Sequence, residues 1–424
     1  MRRRFLEAAA TTFRSLHTRN FRLFFVGQLI SQAGTWMQSI AIIWVVLRLT
    51  DDGVALGLAT AAQFLPVLVL GAWGGVLSDR LDRHRILLVT QSLYTMVAVA
   101  FTILTFSDVI NMPLIYALST AFGLVTAIDN PTRRAFVVEM VSEENVPNAV
   151  GLNSTLMTGS RVLGPALAGV LITTVGVAWC FAGNVLTYFA VLGALLAMDR
   201  TALRTPPRVP RAAGQLRAGL RYVWDTGVLR YTLVLLAVVG TLAFEFQVTL
   251  PLLADRTFGG GAGTFTLLYS SLSVGAVAGG LVMAHRSSVD APFLARSALW
   301  MAGFMAVLTL APNIWVALAA VIPIGLTSVL LVSGSNALIQ LEADPSMRGR
   351  ALALTTVVFL GSTPIGGPVV GAAAEHIGAR AGVGIGAVAT GVAAVWALRK
   401  ILRMSPTEAH RADTASEVPA VARG

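Results

Sequence analysis

Twelve apolar stretches, each long enough to cross a lipid bilayer and separated by short polar breaks, constrain this chain more than any other feature. A bilayer core takes about 20 apolar residues per helix. The stretches run approximately over residues 21–47, 54–77, 85–106, 113–128, 149–175 and 179–198, then 229–253, 264–284, 291–310, 313–341, 351–374 and 381–402. Only 12% of the 424 residues are charged and 55% are hydrophobic, whereas soluble domains carry about 25% charge. The predicted fold is therefore an all-α membrane protein with twelve transmembrane helices and no room for a separate soluble domain.

The charges have a pattern. Of the 31 Lys and Arg residues, 27 fall in one alternating set of loops, three (Arg48, Arg256, Arg380) in the other, and one, Arg161, inside a segment. Cations concentrate on the cytoplasmic side of short loops, so both termini and the central connector are expected there, in a multi-pass protein of the inner or plasma membrane. The same arrangement assigns the net charge of +10 to the lipid bilayer and excludes nucleic acid as a partner. The predicted divisions are a cytoplasmic lead-in at 1–20, a six-helix bundle at 21–198, an Arg-rich connector at 199–228, a second six-helix bundle at 229–402 and a disordered tail at 403–424. Within the connector, 212–224 is expected to form an amphipathic helix on the membrane surface. The N-terminal stretch has no apolar core of its own and does not read as a cleavable signal peptide. Cys180 stands alone and the five histidines lack metal-ligand spacing, so no disulfide, metal or cofactor is expected.

The two halves read as repeats. Gly71-x-x-x-Gly75 recurs as Gly275-x-x-x-Gly279, and Gly164-Pro165 recurs as Gly367-Pro368, at offsets of 204 and 203 residues. Two features at nearly one offset predict two six-helix pseudo-repeats, a transporter architecture. Gly164-Pro165 and Gly367-Pro368 are expected to kink their helices.

Between the second and third segments, Gly71–Arg85 holds Asp79, Arg80, Asp82, Arg83, His84 and Arg85 in seven positions. Charges this dense between two membrane segments must lie in water or pair. A plain positive-inside anchor and a moving hinge both fit. A carboxylate ending the second helix is suited to meet a positive helix N-terminus. Pro131 is expected to stop the fourth helix, which places Asp129 at its end as a partner for Arg83, and Arg133 and Arg134 at the surface.

The chain resembles a major facilitator superfamily transporter, within the drug and siderophore exporter branch related to macrolide efflux pumps and the enterobactin exporter. The loop signature Gly-x-Leu-x-Asp-Arg-x-Gly-Arg-(Arg/Lys) is matched by Gly75, Leu77, Asp79, Arg80, Arg83 and Arg85; Asp82 replaces its last glycine and His84 shifts the final basic position. The second-half copy, Gly280 to Arg286, has Ala284 in place of the acid. The resemblance implies a cytoplasmic gate of Gly75, Asp79, Arg80, Arg83, Asp129 and Arg133, with the eleventh helix as the partner of Asp79. The segment around Gly164-Pro165 resembles, in part, a fifth-helix motif of exporters.

Two charges lie inside segments. Arg161 must face a cavity or an acid, which makes it a candidate for anion binding or coupling. Glu245 shares an i, i+4, i+8 face with Thr241 and Thr249 and is the candidate for proton coupling or cation recognition. Gln28, Gln32, Thr35 and Ser39 form one polar face of the first helix, beside Trp36. With Ser333, Ser335 and Asn336 of the tenth helix they are expected to line a cavity, as the family resemblance implies for helices 1, 4, 7 and 10. Phe244 and Phe246 suit an amphipathic substrate there, or plain packing. The glycine run at 259–263 lacks the Lys-Ser/Thr of a phosphate loop, and Gly382-x-Gly384-x-Gly386 follows no strand. No enzyme constellation or nucleotide-binding domain is present, so energy must come from a gradient or another chain. The expected function is proton-coupled export of small amphipathic compounds, drug-like or siderophore-like, by alternating access in a functional monomer. A nutrient importer of the same fold, or a membrane sensor or scaffold, are the alternatives.

Overall fold

In the computed structural model, residues 13–204, 215–286, 288–344 and 347–403 are described. The predicted lead-in up to residue 12 and the tail from residue 404 lie outside them. Twelve helices are long and apolar enough to cross a membrane. They are α1 (Arg19–Thr50), α2 (Gly53–Arg80), α3 (Arg83–Phe106), α4 (Met112–Glu139), α5 (Val146–Thr174), α6 (Ala178–Leu196), α7 (Gly227–Leu242 and Phe246–Leu252), α8 (Gly261–His285), α9 (Ala291–Leu310), α10 (Ile314–Glu342), α11 (Arg348–His376) and α12 (Ala379–Leu402). Helices dominate because lipid leaves backbone amides no other partner. Polar residues mark their starts: Asp52, Asp82, Asn111, Asp290 and Asn313 each accept a hydrogen bond from an amide in the first turn, satisfying donors that the helix leaves free. Gly176 and Gly378 turn the chain into α6 and α12 with φ of 105° and 124°, conformations that only glycine adopts cheaply. They stand 202 residues apart in the sequence, close to the repeat offset.

The described chain forms two compact units. One takes α1–α6 with Phe246–Ser273 and Gly367–Ala379. Its helices meet through small residues. A Cβ at Gly74 of α2 would strike the Ala127 carbonyl of α4, and one at Gly123 the Gln63 carbonyl. Gly34 of α1 lies against Asn184 and Thr187 of α6, and Gly57 of α2 lies against the backbone of Gly367 and Pro368. The Gly-Pro positions are also close-contact seats: Gly164 receives Trp36 and Ala33 of α1. Stacked pairs Tyr94–Tyr188 and Phe101–Phe181 fill the space between α3 and α6.

The other unit holds the connector helix (Gln215–Asp225), residues 227–245, Val274–Gly366 and residues 380–403. Gly275 and Gly279 of α8 approach Ile322 and Leu326 of α10, the counterpart of the α2–α4 contact. The connector helix buries Val223 in a cluster with Leu229, Leu233, Ile339, Ala343, Ala351 and Leu354, and the Asp344 amide donates to the Tyr222 hydroxyl at 2.9 Å. Part of its apolar face is thus taken up by protein, while Leu220 and Trp224 remain exposed.

Two spans depart from the sequence reading. α4 does not end at Pro131 but runs to Glu139. Proline removes one backbone hydrogen bond, and the Ala127 carbonyl so freed is where Gly74 packs. One residue on, Thr132 Oγ1 donates to the Ile128 carbonyl at 2.7 Å. α7 is interrupted over residues 243–245, where the Phe244 amide reaches the Val239 carbonyl at 3.1 Å. Neither Gly nor Pro marks this break.

Candidate functional site

The charged loop between α2 and α3 forms a network, with a different acid from the one expected. Arg83 Nη1 lies 2.6 Å from Glu139 Oε1 and Nη2 lies 3.4 Å from Asp79 Oδ1, while its Nε donates to the Ser78 carbonyl. Because α4 continues through Pro131, the acid at its end is Glu139. Asp82 caps α3 and pairs with Arg200 at 2.9 Å. Burial works against that carboxylate, but the Arg85 amide and the Arg200 guanidinium together hold it below the usual range. Arg80 is exposed and Gly75 is half-buried.

Asp129 and Arg133, expected at a helix end, are instead sealed inside the first unit. Asp129 accepts from Thr90 Oγ1 at 2.8 Å and Gln91 Nε2 at 2.9 Å, and lies 3.5 Å from Arg133 Nε. Arg133 in turn donates to Asn130 Oδ1 at 2.7 Å and to Gln28 Oε1 at 3.3 Å. The two groups stand one turn apart on α4, so a single helix supplies both charges. The pairing i, i+4 is readable in the sequence once the helix is known to continue.

The polar face of α1 is spent mostly on protein. Gln28 is buried against Arg133 and receives Gln32 Nε2 at 3.4 Å. Thr35 Oγ1 bonds the Ser31 carbonyl and lies 3.0 Å from the Tyr188 hydroxyl, and Ser39 Oγ folds back onto the Thr35 carbonyl. On α10, Asn336 is half-buried and Ser335 is buried on the Leu331 carbonyl.

Glu245 sits in the break of α7, 2% exposed. It hydrogen-bonds Thr363 of α11, and Gly366 lets that helix approach the Thr241 carbonyl and the Glu245 carboxyl. The break overturns the predicted continuous face: Thr241 precedes it with its hydroxyl on Ala237, and Thr249 follows it, buried in the second piece.

Arg161, near the middle of α5, is exposed. Its guanidinium carbon stands 5.2 Å over the Trp36 ring, and its carbonyl accepts from Ser273 Oγ at 3.0 Å. Among the described residues no carboxylate pairs with it.

A further cluster was missed entirely. In the first unit, Arg256 pairs with Glu375 at 2.8 Å and Asp51 at 3.3 Å and also donates to the Asp51 carbonyl. Glu375 Oε2 also accepts from the Gly53 amide at 2.9 Å. Its members come from three distant places in the chain, and no local spacing joins them.

The chain belongs to the transmembrane secretion effector family of major facilitator transporters, whose model matches residues 10–423. It is similar to the staphyloferrin A transporter of Staphylococcus aureus, 24% identical over 62% of this chain and 66% of that protein, so a little under two thirds of that relative is spanned. It is 26% identical to macrolide efflux protein A of Streptococcus pyogenes over 82% of this chain and 87% of that one. With the enterobactin exporter EntS of Salmonella typhi the identity is 25% over 83% and 84%. Among solved structures, a POT peptide transporter superposes with a TM-score of 0.74 at 12% identity, covering 91% of this chain and 95% of that one. A D-xylose-proton symporter gives 0.68 at 16%, covering 91% and 96%. These likenesses carry the fold. The protein is a multi-pass membrane transporter of the major facilitator type and no enzyme.

Proposed function

We propose that this transporter exports small amphipathic compounds, drug-like or siderophore-like, in exchange for protons, by alternating access as a monomer in the inner or plasma membrane. The observation that carries the coupling is Glu245, a buried carboxyl placed where a spanning helix is interrupted. Ionisable groups at membrane depth are costly and mark ion or proton pathways, and broken helices place such groups at transport sites. Export as the direction is supported by the similarity to a macrolide efflux protein and an enterobactin exporter.

In this reading both termini are cytoplasmic, as the loop charges indicate. The Asp79–Arg83–Glu139 network is the cytoplasmic gate, with Gly75, Arg80, Asp129 and Arg133 supporting it. The two six-helix repeats at 21–198 and 229–402 are the parts that alternate. The deciding experiment uses energised inverted vesicles containing the full chain. Glu245→Gln should abolish pH-driven accumulation of substrate while exchange of substrate down its own gradient continues. Uphill export with unchanged pH dependence in that variant would remove the coupling role.

A further inference from the structure

Among the described residues, Arg161 is a cation at the centre of a spanning helix without the acid that such a residue normally has. Intramembrane arginines pair with carboxylates or carbonyls, or serve a pathway. None of the hydrogen bonds of the described residues uses the guanidinium; only the backbone carbonyl of Arg161 is taken, by Ser273. Its five donors are therefore free for something absent from the fold.

The surroundings are built. Trp36, over which the guanidinium lies, is seated by Gly164, where its Cβ occupies the space a side chain would need. The Tyr269 ring stands 6.3 Å from the Trp36 ring and in turn packs edge-on against buried Phe265 at 6.0 Å. The Tyr269 hydroxyl is tied to Gln247. Gly159, two residues before Arg161, would meet nothing within 4 Å if it bore a Cβ, so the helix is open there. All of these residues belong to the first unit. The result is an exposed guanidinium fixed on an aromatic platform, with free donors and no counter-charge among the described residues.

We infer that Arg161, Trp36 and Tyr269 form a binding subsite for the anionic group of an amphipathic substrate: a carboxylate or sulfonate joined to a flat ring. The guanidinium fork takes two acceptor oxygens side by side. The ring of such a molecule stacks on the half-buried indole of Trp36, against which the buried Tyr269 ring packs. An alkylammonium substrate meets like charge here with no acid to offset it. This rests on the reading of the chain as an exporter and narrows it to anions.

Two xanthene dyes of opposite charge test the subsite: anionic carboxyfluorescein and cationic tetramethylrhodamine methyl ester. Binding is read by fluorescence anisotropy with the full chain in lipid nanodiscs and empty nanodiscs as reference. The wild type should bind the anion in preference. Arg161→Gln should weaken the anion about 10- to 100-fold, the range a charge-assisted hydrogen bond supplies, and leave the cation unchanged or improved. Arg161→Lys should restore part of the affinity, and Trp36→Ala should weaken the anion through an intact Arg161. The inference is overturned if neither dye binds, if the cation binds as well as the anion, or if Arg161→Gln leaves anion affinity unchanged. A separate uptake assay in energised inverted vesicles isolates the export reading. Dye bound through Arg161 but never pumped would sink export while the anion subsite stands.

Discussion

Arg133 and Arg161 lie in the same compact unit, on neighbouring helices in the sequence, and are treated in opposite ways. Arg133 is 9% exposed and is held by an acid, two amide side chains and a helix that carries its partner one turn away. Arg161 is exposed and is held by one ring face. A buried ion pair that is fully hydrogen-bonded costs little to keep and much to break. A cation left without an acid is costly unless something else comes to it. The first arrangement is therefore architecture and the second is a place for a ligand.

Four experiments can break or sharpen this contrast. Arg133→Gln should have the largest effect, since it strands Asp129 in a sealed site. About 3–5 kcal/mol of stability should be lost, seen as a fall in folded yield and in the melting temperature of the purified protein. Adding Asp129→Asn to it should recover part of that loss. If Arg133→Gln melted like the wild type, the architectural role would fall. For the Arg83–Glu139 contact, a double-mutant cycle of Arg83→Gln and Glu139→Gln should give a coupling of about 1 kcal/mol, because the pair is only partly buried. Additive effects in that cycle would place the gate elsewhere. Arg161→Gln should change stability by less than about 1 kcal/mol, as expected for an exposed side chain outside the core, while anion binding falls as described. A large drop in its melting temperature would make Arg161 a second architectural arginine. Smallest of all, Asp82→Asn should shift unfolding by about 0.5 kcal/mol or less, measurable as a slight change in denaturant midpoint at neutral pH.

The comparison also shows why one arginine was legible and the other was misread. Arg161 stands in a long apolar run, so its position announces a buried-charge problem whatever the fold. Arg133 follows Pro131, and proline ordinarily ends a helix. Taking the helix to stop there puts Asp129 and Arg133 in water and makes Asp129 the partner of Arg83. In the structure the helix continues, the pair is sealed, and Glu139 inherits the contact. The sequence places the polar stripe of α1 on a cavity, but Gln28 and Thr35 face protein partners on α4 and α6. Glu245 was picked out as a charge at membrane depth, yet its sequence carries no sign that the helix breaks around it.

What the sequence determined by itself is what lipid enforces. Spans of sufficient apolar length must be helices, so their number, order and approximate ends follow from composition alone. Glycines and caps at the turns follow from local backbone sterics. The tertiary structure decided everything that depends on a partner distant in the chain: that α4 passes through its proline with the freed carbonyl packed on Gly74, that α7 parts where α11 comes close at Gly366, that Arg256, Asp51 and Glu375 meet, and that Arg161 meets a ring and no acid. The energies that settle these choices come from contacts between helices, and a linear pattern read one helix at a time does not contain them.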